Sequence, residues 1–529
     1  MSNLAQQQNL DRLLERLESC FDEPLLSAKL GQENHIALEV SARQFTSGVT
    51  AIHRDPMLES RYLTLFAVDE GTHFSLHAIL LLKSQRLMLT IHTVLERENP
   101  VYPALSPQIP AAGWHEREIH DLFGIVPQGG NLQPLVLHRD WPRGGHYPMR
   151  RDFTGQAIPP IREVPHQLDM PQGAGRHQVA VGPIHAGIIE PGHMRFCVTG
   201  EQIHRFEAQL FYTHKGLEKM AEGKPYQQVL ALAEHTCGMC AFSHSLAFTQ
   251  AIETLADEDI PLRATVLRAI LLEMERLASH FSDLSAICAA GGFAFGSVRA
   301  AGFRELILRL NQRLSGHRFL RGINTVGGFK TDIPDQALSF AMRQLSNLND
   351  EFGEWRDLVL NTDSFLDRLE TTGFLSEQTA RQLGLAGPAA RGSGVDDDTR
   401  RDFPYGAHAY LQVATQVCEQ GDALARMNVR IAEVSASIAQ IRQLISALPG
   451  GSALSRFPGV LPTGTSAAGL VESAKGSLLH WVMTGPDQEI YRWHVRSASY
   501  MNWRGVAQAT MQATRGHNIV PDGPLVNKS

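Results

Sequence analysis

Two textures of apolar and polar positions follow one another along the chain. From Leu10 to Cys20, leucines set among arginines and glutamates predict a short amphipathic helix. Apolar runs at His35–Val40, Tyr62–Val68, Phe74–Lys83 and Leu87–Val94, parted by turn-prone residues, predict strands. Together these give a small α/β domain with a largely antiparallel sheet. From Pro127 to Gly175 the chain turns rich in proline, glycine and arginine, the composition of an extended tether. Beyond Gln178 the spacing lengthens. Leu262, Val266, Ile270, Met274, Leu277, Phe281 and Leu284 recur at steps of three and four, the stripe of a buried helix face. A second long pattern runs from Ala409 to Leu448 through Val413, Val417, Leu424, Ile431, Val434, Ile438, Ile441 and Leu444. The expected class is α+β: an α/β domain over 1–155, an extended linker over 156–176, and a mainly helical domain over 177–529. Small β elements are expected at the start of the last domain and near Ser477–Val482.

Composition narrows the setting. The chain has 529 residues, enough for two or more cores, with 43% apolar and 19% charged residues. A net charge of −7 with no basic run argues against nucleic acid as a partner. Six cysteines in this length form no disulfide framework and fit a reducing compartment. The polar start shows no signal-peptide core, and the stretch around Leu284–Gly296 is too short and glycine-rich to span a bilayer. The reading is cytoplasmic, with any membrane association made through partners.

The candidate chemistry centres on Cys237-Gly-Met-Cys240 with His244 four residues on. A CxxC on a helix brings two thiols to one side, half of a four-sulfur metal site. Cys20, Cys197, Cys288 and Cys418 are each alone in sequence, so no second pair completes it. On a helix His244 would share that face, giving either a three-ligand site of Cys237, Cys240 and His244 or an inherited core patch. No second CxxC or HxxxH stands at zinc-ribbon spacing. Nothing resembles a GxGxxG loop after a strand, so direct NAD binding is unsupported. Glu273, Arg276 and His280 share one helix at steps of three and four, a spacing that serves local ion pairs as readily as a charge chain. Glu116, Arg117, Glu118, His120 and Asp121 crowd one motif, which suggests an inter-subunit clamp.

Trp114-His-Glu-Arg-Glu-Ile-His-Asp-Leu-Phe-Gly-Ile125, His138-Arg-Asp-Trp141 and His146-Tyr-Pro-Met-Arg-Arg-Asp-Phe153 resemble the C subunit of NADH-quinone oxidoreductase (complex I). Val181-Gly-Pro-Ile-His-Ala186, Tyr212-Thr-His-Lys-Gly-Leu-Glu-Lys219, Glu234-His-Thr-Cys-Gly-Met-Cys240 and Gly387-Pro-Ala-Ala-Arg391 resemble the D subunit of complex I and the NiFe-hydrogenase large subunit. Asp402-Phe-Pro-Tyr405, Gly421-Asp-Ala-Leu-Ala-Arg426 and Val471-Glu-Ser-Ala-Lys-Gly476 continue that match. A fusion of the two with CxxC kept is similar to large subunits of group 4 membrane-bound hydrogenases, the formate hydrogenlyase type included, and to related complexes lacking a complete nickel–iron centre.

The resemblance implies a large subunit of a complex I-like oxidoreductase assembly, peripheral to the inner membrane on its cytoplasmic side, coupling electron transfer to ion translocation. Its implied partners are a small iron–sulfur protein like the B subunit of complex I, carrying a [4Fe-4S] cluster, a ferredoxin-like subunit and antiporter-like membrane subunits. In hydrogenases of this family a second CxxC follows an Asp-x-Pro-Leu-Ile-like stretch; here Asp522-Gly-Pro-Leu-Val-Asn-Lys-Ser529 reaches that point without cysteine. The implied metal content of this chain is therefore partial nickel or iron, or none. His235 stands where the motif usually has arginine, and Ile189 and Gly238 stand where the complex I branch has its quinone contacts. By the same resemblance Glu190 lies on a proton route, His185 on a loop lining the cavity, and Arg391 near the metal centre, here expected to pair with a buried acid. The alternatives are an active group 4 hydrogenase with cysteines beyond this sequence, a fused C/D subunit of NADH-quinone oxidoreductase, and a non-catalytic scaffold.

Overall fold

The computed structural model describes residues 3–31, 34–138, 141–142, 145–155, 173–185, 190–457, 459–514 and 516–529, with the side chains of 3–8 and 183–185 outside that description. Most of the expected 156–176 linker and the position of Ile189 fall outside the described residues. The chain divides into two compact units. The first comprises residues 1–169, 188–191 and 209–214, and the second the remainder.

In the first unit the predicted strands form one sheet with a strand the sequence pattern did not show. In chain order they are β1 (Ser27–Leu30), β2 (His35–Glu39), β3 (Ser60–Asp69), β4 (His73–Leu82) and β5 (Leu87–Glu96). Their spatial order is β1-β2-β5-β4-β3, antiparallel except for the parallel β2–β5 pair. That parallel pair needs a crossover, and the Ala42–Arg54 helix lies in it. The charged motif is the Gly113–Phe123 helix, and its charges serve their own chain. Asp121 accepts the backbone N–H groups of Leu135, Val136 and Leu137 at 2.7, 2.9 and 3.2 Å. Glu116, fully buried, accepts those of Leu105 and Ser106. Arg117 donates to the carbonyls of Gln133 and Pro134. These acids anchor loops that would otherwise leave buried N–H groups unpaired.

The second unit is helical with small sheets. The apolar stripe from Leu262 builds a helix over Leu262–Ala290. Around it lie the helices Ala294–Ser315, Asp335–Leu360 and Ala423–Ser446, sharing a core that includes Phe281, Phe303, Phe352 and Trp355. The pattern from Ala409 is helical only from Ala423. Gly421 sits at φ 72° with its α-carbon face against the Leu375 carbonyl, and Asp422 caps the helix by accepting from the Ala425 N–H at 2.8 Å. The residues before them run in a short 3-10 turn and irregular chain.

A four-stranded sheet includes Ser466–Ser473, Gly476–Thr484 and Glu489–Arg496, antiparallel to one another. It lies against the Ala241–Ala256 helix. A β-carbon on Gly469 would stand 1.9 Å from the Ala247 carbonyl oxygen, so helix and sheet approach as closely as glycine allows. Gly469→Ala should therefore destabilise the protein by about 1–3 kcal/mol, read as a lowered urea midpoint; an unchanged midpoint would mean that the two layers part without cost.

Candidate functional site

Cys237 and Cys240 do not lie on a helix. The helix Tyr226–Ala233 ends, residues 234–240 form an irregular turn, and the next helix begins at Ala241 with Cys240 as its capping residue. The turn is tied down from several sides. Glu234 accepts the Gly322 N–H at 2.8 Å, Lys215 Nζ donates to the His235 carbonyl at 3.0 Å, and His235 Nδ1 donates to the Ala231 carbonyl at 2.7 Å. His235 itself is exposed.

The two thiols behave as one acid. Cys240 donates to the sulfur of Cys237, which also accepts the Met239 N–H at 3.4 Å and feels the Lys475 ammonium. These contacts pull the half-buried Cys237 thiol down to about 6, and the same bond together with burial pushes Cys240 well above the ordinary thiol range. Cys237 is the thiolate of the pair.

Two groups not singled out in the sequence, Glu275 and Lys475, act on this pair. Glu275 accepts the N–H groups of Phe242 at 2.6 Å and Ser243 at 3.0 Å, together with the Ser243 hydroxyl, satisfying orphan donors of the Ala241–Ala256 helix. Burial nevertheless pushes its carboxyl up to about 7, with Cys237 adding to the rise. Lys475 pairs with Asp283, which also takes Arg430 Nε at 3.2 Å. The signal for Lys475 is its place in the Val471–Gly476 block. Glu275 had none, since Glu273 two residues away has the same side chain and a different environment.

His244 is paired with the sheet. Its Nδ1 lies 2.8 Å from His480 Nε2, and Trp493 Nε1 donates to His480 Nδ1 at 3.1 Å. An indole N–H only donates, so His480 carries its proton on Nε2 and gives it to His244 Nδ1, leaving His244 protonated on Nε2. Burial holds His244 down at about 3, and both rings are neutral. Neither nitrogen of His244 is open to a metal. A nickel–iron centre wants four thiolates; the turn offers two, and among the described residues no group of three His, Cys, Asp or Glu side chains is arranged to hold a metal ion. The three-ligand arrangement is not formed, and these donors do not fit the centre that the resemblance implies.

Arg391 is fully buried and pairs with acids, as expected. It holds Glu433 at 2.7 Å and Glu472 at 2.9 Å and donates to the Asp397 carbonyl at 2.9 Å. Glu273, Arg276 and His280 join the same network. His280 Nε2 lies 2.8 Å from Glu433, Arg276 Nε 3.1 Å from Glu273, and Arg400 bridges Glu273 at 2.9 Å and Asp398 at 2.7 Å. Glu433 and Asp398 are held well below the usual carboxylate range by these cations, against the effect of burial. The helix pair is thus part of a buried charge lattice. Glu190 is exposed and belongs to the first unit. His185 ends a strand, paired with Gly192, and its side chain lies outside the described residues.

Three family models cover most of this architecture. Residues 38–158 match the 30 Kd subunit of respiratory-chain NADH dehydrogenase, 215–288 the nickel-dependent hydrogenases, and 292–464 the 49 Kd subunit of respiratory-chain NADH dehydrogenase. Formate hydrogenlyase subunit 5 of Escherichia coli (strain K12) is 34% identical over 87% of this chain and 82% of its own length. The chain belongs to this family of fused complex I- and hydrogenase-like large subunits. Within the family, hydrogenase-4 component G of Escherichia coli is 31% identical over 87% of this chain and 81% of its own length. The fused C/D subunit of a Bacteroides fragilis NADH-quinone oxidoreductase is 29% identical over 76% and 79%. The membrane-bound sulfane sulfur reductase, an archaeal respiratory membrane complex, contains a chain of the same fold. It superposes with a TM-score of 0.63 at 25% identity, over 68% of this chain and 97% of that one. No helix among the described residues is long and apolar enough to cross a membrane.

Proposed function

We propose that this chain is the large subunit of a membrane-associated, complex I-like oxidoreductase in which the Cys237–Cys240 dithiol, rather than a four-thiolate nickel–iron centre, carries the redox chemistry. The observation that carries this is the pairing itself: an acidic Cys237 thiol beside that of Cys240, on a turn entering a helix, the environment of a reactive cysteine pair. Starting from the Cys237 thiolate and the Cys240 thiol, oxidation closes one S–S bond and releases two electrons and one proton. The electrons pass to a small iron–sulfur subunit with a [4Fe-4S] cluster, and Glu275, within electrostatic reach of Cys237, is placed to take a proton. Glu190 and His185 are the further candidates for that proton route. A ferredoxin-like subunit and antiporter-like membrane subunits complete the assembly at the cytoplasmic face of the inner membrane, where electron transfer drives ion translocation. Likeness to formate hydrogenlyase subunit 5, to a fused C/D subunit of NADH-quinone oxidoreductase and to a membrane-bound sulfane sulfur reductase supports this reading.

Cys237→Ser and Cys240→Ser in the purified assembly should each abolish electron transfer through it. The thiols of the unaltered protein should titrate as a two-electron couple, with about 30 mV per tenfold change in ratio. Activity retained in both variants would reduce the chain to a scaffold. Likeness to formate hydrogenlyase subunit 5 and hydrogenase-4 component G favours a second reading, a working nickel–iron hydrogenase. Stoichiometric nickel with hydrogen turnover would establish it and end the dithiol reading.

A further inference from the structure

The Ala294–Ser315 helix and the turn after it carry a charge at odds with the rest of the chain. From Arg299 to Lys330 stand six arginines and one lysine against a single acid, Glu305, in a protein of net charge −7. The arginines recur every three to five residues and so form no basic run, yet the fold gathers them. Arg299 pairs with Glu351 at 3.2 Å, and Glu305 holds Arg309 at 2.8 Å and Arg318 at 2.5 and 3.1 Å. Arg313, Arg321 and Lys330, with Arg343 of the neighbouring Asp335–Leu360 helix, have no ion pair among the described residues. Arg313, Arg343 and Lys330 are exposed. Arg313 and Arg343 lie over one ring, Phe340, at 4.1 and 6.0 Å from its centre, which holds two like charges side by side.

This face adjoins the cysteine turn. Glu234, at the start of the turn, accepts the N–H of Gly322, the residue after Arg321, and its carboxyl feels both Arg321 and Lys330. Burial favours the proton on Glu234, so it neutralises little of that charge. Gly238 at the tip of the turn is exposed, and among the described residues nothing beyond its chain neighbours stands within 4 Å of where its β-carbon would be. A partner reaching the half-buried Cys237 over Gly238 therefore settles beside a cationic surface. Charge of that sign speeds and orients the arrival of an acidic surface and repels a basic one.

We propose that the face bearing Arg313, Arg321, Lys330 and Arg343 is the docking surface for an acidic electron-carrying protein. The docking stands on these charges; only the electron exchange rests on the dithiol reading. A small acidic ferredoxin with two [4Fe-4S] clusters serves as probe, and a basic c-type cytochrome as the control of opposite sign. In stopped-flow mixing with the full chain, association of the ferredoxin should slow about tenfold between roughly 20 and 200 mM salt, and the cytochrome should not associate. Lys330→Glu and Arg343→Glu combined, both at exposed positions, should slow it about tenfold at low salt. Glu305→Gln removes the acid on the face and should speed it about threefold, a gain that damaged folding cannot produce. No association, association indifferent to salt or to these substitutions, or retention of the chain by phosphatidylglycerol vesicles in preference to the ferredoxin overturns the proposal; the last makes the face a membrane surface. Cys237→Ser should dock the ferredoxin as the unaltered chain does and exchange no electrons with it. Docking intact with exchange retained would end the dithiol reading alone, so the two ideas fail separately.

Discussion

Replacing Arg391 by leucine should cost about 3–5 kcal/mol of stability, because it strands Glu433 and Glu472 in the core with one cation removed. Glu433 keeps His280 at 2.8 Å and Arg276 at 3.8 Å, so the lattice loses its best-placed partner without dissolving. Arg391→Lys should cost less than leucine but more than nothing, since one ammonium cannot reproduce the fork onto two acids and a carbonyl. Urea unfolding of the full chain, followed by a probe in the second unit, reads the difference. A loss under about 1 kcal/mol would show that the acids are neutralised otherwise. The same lattice sets an acid limit. The folded pKa values of Glu433 and Asp398 lie below their ordinary ones, 4.5 and 3.8, so their contribution is complete above that range and is lost as the pH falls through it. In Arg391→Leu that acid-dependent part should shrink.

Alkylation of Cys237 should rise with a midpoint near pH 6, and Cys240→Ala should move that midpoint up toward the ordinary 9. At pH 7 the thiolate fraction then falls from about nine-tenths to about one-hundredth, partly offset by the greater nucleophilicity of a more basic thiolate. Net labelling should slow about three- to sixfold. Mass spectrometry of the Cys237 peptide across pH 5–9 gives the profile. Lys475→Met should shift it in the same direction by a smaller amount, because the ammonium is the lesser of the two influences. A midpoint unmoved in Cys240→Ala would mean that the neighbouring thiol does not acidify Cys237.

Local periodicity made much of the fold legible. The stripe from Leu262 to Leu284 became one helix because its apolar face packs on three others, and the apolar runs became strands because each fills one layer. Where the signal was mixed it failed. Val413 and Val417 sit at helical spacing, yet Gly421 and the Asp422 cap start the helix later. The Ala42–Arg54 helix hides its buried Phe45, Val49 and Ile52 among Thr, Ser and Gly. At the site, CxxC was visible and its partners were not. Glu275 reaches Ser243 from 32 residues away, His480 reaches His244 across 236, and Arg391 reaches Glu472 across 81. Such pairings are made by the tertiary fold, and no local spacing encodes them. Glu273 and Glu275 show this most plainly: two residues apart, one is locked as a carboxylate among arginines while burial favours the proton on the other.

The relay from Trp493 through His480 to His244 also has a direction built into it. Its first member can only give, so neither imidazole can pass a hydrogen back toward the sheet without breaking the chain. It works as a blocked line, insulating the cysteine turn on that side. Glu275, whose carboxyl feels the charge of Cys237, is the acid–base group left to the sulfurs.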